Sequence, residues 1–277
     1  MSEPGLFKDG DVIRRVTQEG ILLLGGGVAS ILQTSHPGVG QGVHDHSYTF
    51  DNPLLRLRGT MEWLTAVHFG TREEAERVSA FVGKMHDKVN GPGYDAQDPD
   101  LKVWVGATLF DVSARLYQAL FGRLPEAELE EYYQQTRIYA QILGAPAELQ
   151  PADLAEFRAY YRAKVKEFEL TPASKEVARL VLYPKAPWYR RPALVAVRLA
   201  SAGLMPEPLR SAYGWAWSPA RERRFLVLIN VLRLVYPRLP LSLRTAPREM
   251  FLTSLRHRLA KAERGRPRKK IRSADAA

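Results

Sequence analysis

The stretch PLLRLRGTMEWLTAVHFGTREEAERVSAFVGKMHDKVN, residues 53–90, reads as two helices with one short break between them. Asp51 or Asn52 is placed to cap the first, and Pro53 suits an opening turn, where its missing N–H costs nothing. That helix runs to about Phe69, and Gly70-Thr71 interrupts it. Thr71 caps the second helix, with Glu73 and Glu74 in its first turn, where the macrodipole favours negative charge. It continues to about Asn90, and Gly91-Pro92-Gly93 ends it.

Outward from this pair the chain keeps a helical period. Residues 11–33 read as a first, largely buried helix, stopped by His36-Pro37-Gly38 and followed by a glycine- and histidine-rich loop over 38–49. Downstream, Asp98-Pro99 opens a helix that passes Trp104 and ends near Phe121. Further helices are predicted over 126–143, 151–167, 175–182, 192–202, 206–213, 219–235 and 247–261, with prolines between them. No sustained alternation of apolar and polar residues marks a strand, and neither a repeat nor a Gly/Ser linker divides the chain. The expectation is an all-α fold: one multi-helix domain over residues 1–260.

Of the 277 residues 45% are apolar, enough for a sizeable core. The absence of cysteine excludes a disulfide scaffold, an iron–sulfur cluster, a thiolate-ligated haem and a thiol nucleophile. The N-terminus carries no signal-peptide pattern, and the apolar run over 20–32 is too short and too rich in glycine to span a bilayer. These features lead us to expect a soluble, cytoplasmic protein. The net charge is +10, and half of it falls in residues 261–277, where seven basic residues stand against Glu263 and Asp275. So polar a segment reads as a disordered, solubilising tail. Use of it to bind nucleic acid would predict steep salt dependence, but no aromatic residue interleaves its charges.

Three residues stand out as chemistry. Arg56 and Thr60 are four apart and share a helix face, and His86 lies on the next helix among Val78, Val82 and Val89. At about 1.5 Å per residue, Arg56 lies roughly 21 Å before the Gly70–Thr71 break and His86 roughly 22 Å after it. In an antiparallel hairpin they face each other at one level. A flat cofactor then fits between them, with the small residues Gly59 and Gly83 giving it room. Two other readings stay open at this point: His86 as a hydrogen-bonded core residue, and Thr60 as a hydroxyl bonded to a carbonyl of its own helix.

Several runs, in order, resemble the bacterial family that takes in MpaB-type oxygenases and the latex-clearing protein (rubber oxygenase). They are Leu32-Gln33-Thr34-Ser35-His36-Pro37, Asp45-His46-Ser47, Arg56-Leu57-Arg58-Gly59-Thr60, Phe69-Gly70-Thr71, His86-Asp87-Lys88-Val89-Asn90-Gly91, Tyr94-Asp95-Ala96-Gln97-Asp98-Pro99 and Trp104-Val105-Gly106-Ala107-Thr108-Leu109. The likeness covers about residues 10–165 and includes branches of unassigned function. It implies an all-helical fold with a haem b pocket between helices, His86 as axial iron ligand, and Arg56 and Thr60 on the distal side. In rubber oxygenase a lysine precedes that threonine. Here it is Gly59, which implies an iron position open to water or O₂.

The resemblance also implies a haem-dependent oxygenase that uses O₂ on an apolar, isoprenoid or lipid-like substrate. Arg56 then either stabilises charge on the distal side or pairs with a haem propionate, and Arg58 is a second propionate candidate. The alternative is a helical protein that binds haem or a hydrophobic ligand without turnover. Other signals are discounted. Gly25-Gly26-Gly27 lacks a nucleotide-loop spacing and reads as tight helix packing. His44 and His46 lack a zinc spacing, and His68 reads as a helix-end histidine. His36 is the second choice of haem ligand, while Trp104 and Tyr94 read as structural.

Overall fold

Trp104 has no exposed surface, and the fold is built around it. Its Nε1 donates to the Leu32 carbonyl at 3.1 Å, and its ring stacks on Tyr161 and meets Phe168 edge-on at 4.8 Å. The computed structural model describes residues 4–46, 53–185 and 187–264. In chain order these form α1 (Val12–Thr17), a 3₁₀ turn (Gly20–Gly25), α2 (Gly26–Ser35), α3 (Pro37–His46), α4 (Pro53–Phe69) and α5 (Arg72–His86). Then follow a hairpin of two-residue strands, β1 (Asn90–Gly91) and β2 (Tyr94–Asp95), and the long helix α6 (Pro99–Phe121). The rest is α7 (Glu126–Thr136), α8 (Ile138–Gln141), α9 (Leu154–Glu167), α10 (Pro172–Leu182), α11 (Arg191–Leu204), α12 (Glu207–Ala212), α13 (Pro219–Val235) and α14 (Leu241–Arg264). One contiguous core runs from Val12 to Leu255, so the fold is the single all-helical domain that the sequence predicts.

The start signals act as read. Thr71 forms a full capping box: its hydroxyl accepts from Glu74 N at 3.1 Å, and its own N–H donates to Glu74 Oε2 at 2.8 Å. The Asp98 carboxylate accepts from Asp100 N at 2.9 Å, with Pro99 in the first turn of α6. The caps expected at Asp51 or Asn52 lie outside the described residues.

Three expectations fail, the first two for a packing reason. Residues 11–33 are not one helix. A Cβ on Gly20 would lie 2.6 Å from Pro247 Cγ, and one on Gly25 would lie 2.7 Å from Val112 Cγ1, so the chain bends where it must pass close to α14 and α6. Gly27 approaches Ser201 of α11 as closely, the tight packing expected of this glycine run.

His36-Pro37 stops α2, but the described part of the expected loop is α3, which Pro37 opens. It packs on α2 and α10 because Gly40 leaves room for Ser174 Oγ. The last helix begins before Pro247, contains it, and runs to Arg264, past the expected boundary at Lys261. Residues 265–277 of the basic tail lie outside the described residues.

Candidate functional site

Helices α4 and α5 pack as the antiparallel hairpin that the Gly70–Thr71 break implies. Their register is fixed by a buried bond across it, Trp63 Nε1 donating to Ser79 Oγ at 2.9 Å. Arg56 lies seven residues before Trp63 and His86 seven after Ser79. Seven residues are two turns, to within about 20° of the same face. The bond that aligns Trp63 with Ser79 therefore aligns Arg56 with His86.

Electrostatics agree with that placement. Burial pushes the His86 imidazole below its ordinary pKa, and the positive charges of Lys102 and Arg56 lower it further, against Asp87. The ring is part-buried, and its Nδ1 is buried with no hydrogen-bond partner among the described residues. An orphaned polar atom of this kind costs about 1–3 kcal/mol unless a ligand or water satisfies it. Burial also pushes the Arg56 guanidinium down to about 10.

A Cβ added at Gly59 or at Gly83 would meet nothing within 4 Å, so both glycines face open space. The same two helices also expose apolar side chains: Leu57, next in sequence to Arg56, and Phe81 and Met85 on α5.

The sequence missed two neighbours. Lys102, only 7% exposed, donates to Gln97 Oε1 at 2.6 Å. Gln97 in turn donates from Nε2 to the Gly83 carbonyl at 3.1 Å and to Asp87 Oδ1 at 2.6 Å. This chain ties the start of α6 to the end of α5 on both sides of His86. A lysine between Leu101 and Val103 at the head of an apolar helix was the available signal.

Other sequence candidates lie elsewhere. Arg58 points to the opposite side of α4, bonded to Glu62 Oε1 at 2.9 Å and to Ser254 of α14, and is not brought to His86. Thr60 is exposed and donates to the Arg56 carbonyl at 3.2 Å, the local role left open for it. His36 accepts from Gly38 N at 3.1 Å and packs on Phe168. His44 pairs with Asp45, and His46 bonds to the Tyr94 hydroxyl at 2.9 Å. Among the described residues no group of three His, Asp or Glu side chains is placed to hold a metal ion.

His68 is not simply a helix-end residue. It is buried, bonded to the Tyr139 hydroxyl at 2.8 Å, and burial pushes its pKa down to about 3. It lines a mainly apolar cavity of about 110 Å³ with Thr65, Ser113, Tyr139 and Leu109.

Comparison with known proteins bears on this site directly. The family described as ER-bound oxygenase mpaB/B'/rubber oxygenase, catalytic domain, matches residues 13–234. That match takes in α4, α5 and the head of α6. Two uncharacterized proteins, from Mycobacterium bovis and Mycobacterium tuberculosis, are each 27% identical over 215 residues, 74% of this chain and 84% of theirs. No solved structure matches the chain.

Proposed function

The chain belongs to the family of the ER-bound oxygenase mpaB/B'/rubber oxygenase catalytic domain, and on that premise we propose that it is a haem b-dependent oxygenase of the cytoplasm acting on an apolar, isoprenoid- or lipid-like substrate. Family membership supports a general oxygenase role. The observation that carries the haem reading is the orphaned Nδ1 of His86, on a ring set opposite a part-buried arginine.

The donor set fits haem better than a protein-only metal centre. A single imidazole, with no His or carboxylate cluster among the described residues, suits an iron that arrives with four ligands of its own. Glycines at 59 and 83 leave both facing helices without side chains where a macrocycle needs room. When bound, haem supplies the iron at which O₂ is activated, chemistry that no side chain of this chain provides.

The chain's own residues do the rest. His86, kept neutral by burial and by two nearby cations, has a lone pair for the metal. Arg56, on the opposite helix, would supply N–H donors to negative charge developing there. Thr60 holds the carbonyl of Arg56 and so positions that turn. Lys102 would offer a cation to a propionate. Arg58, engaged by Glu62, has no part in this reading. Leu57 and Met85, next in sequence to Arg56 and His86, are exposed apolar side chains that suit a hydrocarbon chain.

The test is a preparation made with ample haem supply. A Soret band that His86→Ala abolishes, with O₂ uptake on squalene or a similar alkene, is the expected result. Colourless protein that refuses added haemin overturns the reading. Bound haem without O₂ uptake on any apolar alkene favours a carrier without turnover.

A further inference from the structure

Helix α13 and the turn after it leave much apolar surface uncovered. Leu226 (47% exposed), Val227 (61%), Val231 (52%), Leu234 (60%) and Val235 (50%) lie on the outer side of α13, while Ile229 is buried. At 100° per residue these five occupy one half of the helix. Leu239, Leu241 and Leu243 extend the surface around the corner into α14 and are exposed as well. Single exposed leucines are ordinary, but eight exposed apolar side chains on adjoining elements, with Asn230 the one polar residue on that half of α13 between Leu226 and Val235, are not.

Basic side chains bracket this surface. Arg223 and Arg224 lie at its start, Arg233 beside it and Arg238 at its end, all exposed. None of the four has a carboxylate partner among the described ion pairs. Glu222, the one acid of α13, is turned to the Trp217 indole. No single described helix is long and apolar enough to cross a membrane, and residues 219–238 and 241–264 reach that length and apolarity only as a pair bent by 94°. The geometry is that of an elbow with an oily outer side and a cationic border.

We propose that this elbow docks the protein on the surface of an anionic lipid bilayer, with α13 lying in the interface and Leu239, Leu241 and Leu243 as a wedge at the corner. An apolar face rimmed by arginines gains from burial among acyl chains and from attraction to anionic headgroups at once, and arginine stems reach up from such a depth to the headgroups. A second copy of the chain fits less well, because a two-fold contact sets one set of unpaired arginines against the other. Nor does residue 265–277 supply a cover: its only large apolar residue is Ile271. The inference stands on the elbow alone and holds whether or not His86 binds haem.

The test is co-sedimentation of the full-length chain with phosphatidylcholine vesicles, with and without phosphatidylglycerol. Binding is expected to the anionic vesicles and to weaken with salt. Val227→Glu/Leu234→Glu changes exposed positions only and should abolish it while leaving the thermal unfolding midpoint unchanged. Arg223→Glu/Arg224→Glu should weaken it by about tenfold or more, since each basic residue near such a surface contributes on the order of 1 kcal/mol. Three results overturn the proposal. They are no vesicle binding at all, binding that survives Val227→Glu/Leu234→Glu but is lost in Lys269→Glu/Lys270→Glu, and a dimer in solution that Val227→Glu/Leu234→Glu dissociates.

Discussion

The Trp63 indole and the Ser79 hydroxyl share a buried 2.9 Å hydrogen bond across the α4–α5 hairpin, two helical turns from Arg56 and His86 respectively. Both helices can slide only by breaking it. Trp63→Phe keeps most of the ring but strands the Ser79 hydroxyl, 3% exposed, at a cost of about 1–3 kcal/mol. The expected outcome is that loss in urea unfolding together with weaker haemin binding in titration. Haemin affinity equal to wild type, despite the lost stability, would show that this bond does not set the register of the site.

His68 makes acid stability a direct readout of its burial. Its pKa in the folded chain is about 3, below the ordinary 6.5, so the unfolded chain takes up the proton first. The contribution is whole above about pH 6.5 and is lost as pH falls toward 3, at about 1.4 kcal/mol per pH unit. His68→Gln leaves an amide to meet the Tyr139 hydroxyl and removes the titration. Unfolding free energies measured from pH 7 to pH 5 should therefore fall less steeply in this variant. His36, also lowered by burial, is present in both proteins and cancels from the comparison. Equal slopes would place the acid sensitivity elsewhere.

How far the sequence carried these arguments depends on which force decides each element. The α4–α5 hairpin was legible because its signals are local: a threonine with a glutamate three residues on, and a glycine before it. The match in level between Arg56 and His86 follows from the same break by counting residues. What the sequence did not show was decided by distant packing. Pro37 reads as an end and is also a beginning, because Gly40 allows α3 to close on α10. Arg58 reads as a neighbour of Arg56, yet its partners Glu62 and Ser254 hold it on the other side of α4. Lys102 is one of forty lysines and arginines in the sequence, and only the fold shows it covered and next to His86.

Glu62 joins α4 to α14 and gives an asymmetric prediction. The carboxylate is 1% exposed and lies between Arg58 at 2.9 Å and Arg258 at 2.6 Å, while both arginines are about half exposed. Removing the acid frees two cations that water can reach, so Glu62→Gln should cost about 1–2 kcal/mol. Removing both arginines leaves the buried charge unpaired, and Arg58→Ala/Arg258→Ala should cost about 3 kcal/mol or more. Chemical denaturation measures both. Arg58→Ala alone should leave haemin uptake unchanged, and a clear loss of uptake would return Arg58 to the cofactor site.

Lys102 sets stability against function. Its side chain is largely covered and its ammonium part-buried, its described hydrogen-bond acceptor is the amide oxygen of Gln97, and burial lowers its pKa in spite of three nearby aspartates. Desolvating a charge for one neutral acceptor is a poor exchange in a helix that otherwise buries Leu101, Val103 and Trp104. Lys102→Met, which keeps the stem and drops the charge, should leave the apo protein as stable as wild type or up to about 1 kcal/mol more so. If the ammonium is there to meet a propionate, the same variant should bind haemin several-fold more weakly, with the Soret position of the bound fraction unchanged because His86 still holds the metal. Stability gained with no loss of affinity would mean that the cation serves the Gln97–Gly83–Asp87 chain alone, and that the propionate, if any, lies on another side of the hairpin.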